Sequence, residues 1–298
     1  MELTPAHSWL SARDAWVVGL PTLVLVGVPG VLLVGTFGLE RLDLWWDGLG
    51  TVSRAVVIAG LTSVLALASV LLTQLPALAV PVLSGDWGTT KLGQRLHGFW
   101  SGRLARKMSA LEPEDTSEFE YRRRFETFPG KAHVRPTRLG NILGAGDYYV
   151  RNRYRMDPGL FWPRLYPFLD SSLRDQLSAA RAAMELRITL LVVFMITAAG
   201  AVIAGPIMGL GALAVVTYVG LCSVAARCLY LLALPPAKTY AMLLGCAFDL
   251  YRREIFSAVG LDRPHSLAAE AADWKALEQY FYRGSVSDDA SNPFFAGL

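Results

Sequence analysis

Residues 188–226 read ITLLVVFMITAAGAVIAGPIMGLGALAVVTYVGLCSVAA, 39 residues without one charged side chain. An α-helix rises about 1.5 Å per residue and the hydrocarbon layer of a bilayer is about 30 Å thick, so about 20 residues cross it once. The stretch is too long for one span and long enough for two. Its middle carries helix breakers, Gly205-Pro-Ile-Met-Gly-Leu-Gly211, and the spacing predicts a hairpin of two helices over 187–205 and 210–234.

Two further uncharged stretches lie upstream. The 25 residues between Asp14 and Glu40 are long enough for a first span. They are too long for a signal-peptide core and lack both a basic leader and a small-residue cleavage site. The 31 residues of 55–85 give the second span, with Pro76 and Pro81 expected to close or kink the helix so that its regular part covers 54–75. The predicted fold class is an all-α polytopic membrane protein with four transmembrane helices, as two hairpins over 15–85 and 187–234. A helical cytoplasmic domain is built from 86–186 and 235–284, with a cytoplasmic N-terminus at 1–14 and a flexible tail at 285–298.

Composition agrees with this. Of 298 residues 53% are hydrophobic and 18% charged, with a mean hydropathy of +0.36; an ordinary soluble domain carries about 25% charged residues. Three cysteines exclude a disulfide-stapled secreted protein, and the hydrophobic content excludes a disordered one. The 3 cysteines, Cys222, Cys228 and Cys246, fall in or just after the fourth span with no C-x-x-C spacing, and are read as buried thiols. Between Asp86 and Arg187 lie 18 Lys or Arg, which place that region on the cytoplasmic side and, with four spans, both termini there too. The 40–53 loop, with Leu44, Trp45 and Trp46 at interfacial depth, then faces outward. The localisation that follows is a cell membrane, crossed several times.

Within the central region, 91–111 sets Leu92, Leu96, Phe99, Trp100 and Leu104 on one face of a basic helix. Such a helix lies on anionic headgroups or packs on its own domain, and the pattern does not separate the two. The acidic run Glu112–Glu120 is followed by Arg122-Arg-Arg124, which reads as a solvated helix face or a topology signal in preference to a phosphate or nucleic-acid site. Thr137 is a predicted N-cap, with Leu139, Ile142, Leu143, Ala145 and Tyr149 as an apolar stripe, and Asp157-Pro158 is a second helix start. Ser172 and Asp175 resemble a capping box opening a helix of about 30 residues that continues into the third span. After Pro236, Leu244, Phe248, Tyr251, Ile255 and Val259 recur at helical spacing as far as Gly260, and Trp274, Leu277 and Phe281 do so on a helix over 266–283.

The runs Pro-Thr-Arg-Leu-Gly-Asn at 136–141, Arg-Tyr-Arg-Met-Asp at 153–157, Trp-Pro-Arg-Leu at 162–165 and Ala-Phe-Asp-Leu-Tyr-Arg at 247–252 together resemble a family of multi-pass membrane proteins of actinobacteria. The resemblance implies architecture and lineage and carries no activity. A bias of 23 Arg over 5 Lys fits a GC-rich genome.

No constellation for catalysis is present. G-x-S-x-G, G-x-x-x-x-G-K-[ST] and H-E-x-x-H are all missing, and the 4 histidines are scattered, so neither catalytic residues, a metal site nor a cofactor is expected. The spans carry no acid or His of the kind proton-coupled transport uses. Arg227 is their one charge and reads as snorkelling to the interface, with pore lining as the alternative. Thr62, Ser69, Thr73 and Gln74 either bond across helices or line a pore, and the Gly205-x-x-x-Gly209 pair and the glycines of the first span favour close helix contacts. The expected function is a non-enzymatic scaffold or anchor in the lipid bilayer, a homo-oligomer, whose cytoplasmic domain binds a protein partner through Arg138, Asn141, Tyr149, Arg151 and Arg164. No nucleic acid is expected as a partner. The alternative is a homo-oligomeric channel gated by the cytoplasmic domain and lined by Thr62, Ser69, Thr73, Gln74 and Arg227, sharing with bestrophins only the arrangement of two hairpins around a cytoplasmic domain.

Overall fold

The computed structural model describes residues 19–27, 30, 34, 38–87, 91–109 and 133–283, with the side chains of 91, 92, 96 and 105–109 excepted. The expectations for 1–14, for most of the first span, for Glu112–Glu120 and Arg122–Arg124 and for the C-terminal tail lie outside these residues. So do those for the side chains of Leu92 and Leu96.

The described residues are helical and contain no strand. After the helical residues 19–27, 30 and 34 come α1 (Leu39–Asp47), α2 (Thr51–Leu83), α3 (Lys91–Ser109), α4 (Arg138–Tyr154) and α5 (Pro158–Leu165) with a 3₁₀ turn at Tyr166–Phe168. They are followed by α6 (Ser171–Ile207), α7 (Ala212–Tyr251), α8 (Glu254–Ala258) and α9 (Leu267–Arg283). Three of these, α2, α6 and α7, are long and apolar enough to cross a membrane. The described residues form two compact units, one holding 19–80 and 182–233, the other 81–181 and 234–283.

The prolines behave differently from the sequence expectation. Pro76 and Pro81 do not end α2 near 75, and α7 runs through Pro235 and Pro236 to Tyr251. A proline removes one helical donor and strands one carbonyl, here those of Leu72, Ala77, Leu231 and Leu232. Opening the helix among apolar side chains would strand several such groups, so a continuous helix is the lesser cost. Beside these prolines the Thr239 hydroxyl donates to the Pro235 carbonyl at 3.3 Å.

In the first unit α6 supplies the buried residues Ile188, Leu191, Val193 and Thr197, whereas α2 and α7 turn Leu61, Val64, Leu67, Val216 and Val224 outward. Exposed apolar faces on this scale mark a contact with a membrane or with another protein. Gly205 sits where a Cβ would come within 2.7 Å of Val215, so it is spent closing the α6–α7 turn within the chain. The 40–53 region, expected as a loop, contains α1. Arg54 holds its end, donating from Nε to the Trp46 carbonyl at 3.1 Å and pairing with Asp47 at 3.3 Å.

The second unit has its own core, with Phe161, Phe248, Phe256, Trp274 and Leu277 fully buried. Trp274 stacks at 4.0 Å on Phe256 and meets Phe161 edge-on at 5.1 Å. Helix starts follow the sequence at α4, where the Thr137 hydroxyl accepts from the Gly140 amide, and at α5, where Asp157 accepts from that of Gly159. At α6 the expected capping box is displaced: Asp170 accepts from the Leu173 amide at 2.6 Å, and Ser172 is already helical. Of the cysteines only Cys222 is buried. Cys228 and Cys246 are exposed on α7.

Candidate functional site

α4 is the element on which polar side chains of the second unit converge. At its start the buried Asn141 reaches back over one turn. Its Oδ1 accepts from the Arg135 amide at 2.7 Å, and its Nδ2 donates to the carbonyls of Arg135 at 2.8 Å and Thr137 at 2.7 Å. A buried amide with three bonds fixes the backbone it grips. Asn141 has no exposed surface and acts by holding Arg135 in place. Gly140 lets the turn at 84 press onto the same helix, since a Cβ there would lie 1.9 Å from the Ser84 carbonyl oxygen.

At the middle of α4, Tyr149 donates to the Asp249 carboxylate at 3.0 Å and Tyr154 donates to it at 2.5 Å. Burial first, and the bond to Asp249 second, raise both phenol pKa values above the ordinary range. The Arg252 guanidinium lies 4.0 Å over the Tyr154 ring and donates to Glu270 at 2.6 Å. This network ties α4, the end of α7 and α9 together. Between α4 and α7 a small apolar groove of about 210 Å³ remains, with Lys238, Cys246 and Asp249 at its lining.

The C-terminal half of α4 forms one wall of a larger cleft of about 610 Å³, closed by the turn at 85–86, by His97 of α3 and by 133–135. Three arginines are among its lining residues, Arg135, Arg151 and Arg155. Asp147 stands on the same wall. Burial raises its pKa above the usual value of 3.8, with Arg135 and Arg151 working in the opposite direction. The His133 and Tyr148 rings are 5.5 Å apart at its rim. Arg151 pairs with Asp157 at 2.5 Å. Arg155, which ends α4, is the one non-glycine residue with positive φ among the described residues, at φ 58° and ψ 28°.

The residues expected to bind a partner are divided. Arg138 and Arg151 are exposed, near opposite ends of α4. Asn141 is buried, Tyr149 is half-buried on Asp249, and Arg164 donates to the Leu160 carbonyl at 2.6 Å with its guanidinium 3.9 Å over the Phe281 ring. The residues expected to line a pore all lie in the first unit. The hydroxyls of Thr62, Ser69 and Thr73 donate to carbonyls of their own helix, and Gln74 donates to Thr73. Ser69 also meets the buried Thr22 hydroxyl at 3.1 Å, and Arg227 lies exposed, 5.8 Å over the Tyr230 ring.

Sequence reading did not single out Arg135, Asp147, Arg155, Asp249 or Glu270 as functional residues. Glu270 carried a signal, lying on the same helix face as Trp274, Leu277 and Phe281, whereas Asp249 lies off the stripe of Leu244, Phe248 and Tyr251 and carried none. Arg155 carried none, because nothing in an arginine-rich run says which residue will adopt a left-handed conformation. Among the described residues no three His, Cys, Asp or Glu side chains converge to hold a metal ion. Searches against family models, curated proteins and solved structures found no match for the chain.

Proposed function

We propose that the chain is a non-enzymatic membrane anchor, crossing a bacterial cell membrane four times with both termini inside, whose cytoplasmic helical domain docks a protein partner. The observation that carries this reading is the core of the second unit. Its fully buried residues, from Val150 through Trp274 to Leu277, all come from 81–181 and 234–283. A domain that closes its own core can present a surface to a partner. The exposed Arg138, Tyr166 and Phe168 are the surface in the 136–168 segment on which such a partner would sit. The positive residues of 86–187 support the inward orientation.

The polar side chains of the apolar helices support an anchor in preference to a channel. Ser69 is committed to Thr22, a cross-helix bond of the kind that holds membrane bundles together. The channel reading draws on the exposure of Thr62, Thr73 and Gln74 along an otherwise apolar α2. Two measurements separate the readings. The anchor is a monomer or a small homo-oligomer in nanodiscs, and a photo-crosslinker at Phe168 in cells joins it to a second protein species. A closed ring of higher order with no crosslinked partner contradicts the anchor.

A further inference from the structure

We propose that the cleft between the C-terminal half of α4 and the segments 85–86 and 133–135 binds a phosphate group, gripped by the guanidinium groups of Arg135, Arg151 and Arg155.

Each of the three arginines is held at the cleft by a backbone or side-chain contact. Arg135 lies just outside the N-terminus of α4, where the helix dipole disfavours a positive charge. Its backbone is nevertheless clamped on both sides by the buried Asn141, through bonds of 2.7 and 2.8 Å. Arg155 holds a left-handed backbone that glycine or asparagine adopts with less strain. Strain kept at a residue lining a cleft points to a use for its side chain. Arg151 is oriented by Asp157 at 2.5 Å, and Asp157 is itself fixed by the Gly159 amide and the Tyr282 hydroxyl, each at 3.0 Å.

Helix-dipole pairing accounts for Arg151 and Arg153 in the last turn of α4. It does not account for Arg135. Arginines brought together from two segments, 133–135 and the end of α4, suit a tetrahedral anion with several acceptor oxygens better than a planar carboxylate. The cleft, at about 610 Å³, has room for more than the phosphate itself. Asp86 and Asp147 on its lining can accept from hydroxyl groups carried beside the phosphate. The ligand class is therefore a hydroxylated phosphate ester. Such a group comes from a soluble metabolite or from a lipid headgroup, and Gly85 and Asp86 follow directly on the end of the apolar α2.

The test uses the full chain and reads its melting temperature. One arm adds inorganic phosphate in detergent against sodium chloride of equal ionic strength. The other compares nanodiscs of phosphatidylcholine with and without phosphatidic acid. A ligand that binds only the native state raises the melting temperature. A rise with inorganic phosphate supports a soluble ester, and a rise confined to phosphatidic acid supports a headgroup. Arg155→Gly removes the guanidinium while easing the backbone, so the unliganded protein melts no lower than wild type and phosphate binding weakens about tenfold or more. Arg135→Gln, which keeps the backbone clamp, weakens it similarly. No rise in either arm, or a rise that survives Arg155→Gly unchanged, overturns the proposal.

Discussion

Arg252 donates from Nε to Glu270 Oε1 at 2.6 Å, and the two side chains are respectively 10% and 3% exposed. Glu270 also accepts from the Trp274 indole at 3.4 Å and lies 3.7 Å from Arg253. The pair joins the end of α7 to α9 inside the second unit, next to the aromatic core. Removing one partner of a buried ion pair costs about 3–5 kcal/mol, because the other is left charged in a dry site. Glu270→Ala should lower the melting temperature by about 10 °C. The double variant Arg252→Met with Glu270→Leu should recover most of that loss. If Glu270→Ala melts like wild type, the pair is not buried in solution.

Gly140 touches the backbone of Ser84, with no flexible atom between them to yield. Gly140→Ala should therefore destabilise the second unit by about 2 kcal/mol or more, even after the helix-propensity gain of alanine. Gly146→Ala is the control. Its nearest neighbours, at 3.1–3.3 Å on Ala241, can give by a few tenths of an ångström, and its effect on thermal unfolding should be clearly smaller.

The apolar helices were legible because their signal is length without charge, which no tertiary context reverses. The helix starts at Thr137 and Asp157 were legible because a cap is a local bond between a side chain and an amide two or three residues on. Pro235 and Pro236 misled, since the rule that proline ends a helix holds where water can satisfy the freed carbonyls. The cleft was not legible at all. Its arginines are 16 and 4 residues apart along the chain (Arg135, Arg151, Arg155), and what distinguishes them is backbone geometry set by Asn141 and by the αL end of α4. Asn141 was expected at a surface, but a polar residue on the inner face of a helix serves equally as a clamp, and sequence spacing does not separate the two.

Burial raises the Asp147 carboxyl above 3.8, the Arg135 and Arg151 charges notwithstanding. The native state then holds that proton more tightly than the unfolded chain, so this group's contribution to stability falls as pH rises through the native value. Asp147→Asn should melt higher than wild type at pH 7, and the gap should close as pH falls toward 3.8. Asp273 is shifted in the same direction by burial and by Glu270, so some pH dependence should remain in the variant. A gap independent of pH would show that the carboxylate is not the destabilising species.

Thr22 and Ser69 meet at 3.1 Å between the helical residues 19–27 and α2. Cross-helix hydroxyl bonds in membranes contribute about 0.6 kcal/mol. In a double-mutant cycle of Thr22→Val and Ser69→Ala, unfolding in detergent should give a coupling of about that size. Zero coupling would mean that the two hydroxyls are not bonded and would return Ser69 to the set of side chains free to line a pore.

Ion flux from liposomes containing the purified full-length protein tests the central claim most directly, that this is an anchor carrying a folded domain. The anchor leaves the liposomes no more permeable than protein-free ones, for anions and cations alike, and Gln74→Leu changes nothing. Flux that depends on protein, and that Gln74→Leu reduces, contradicts the anchor and makes α2 the lining of a channel.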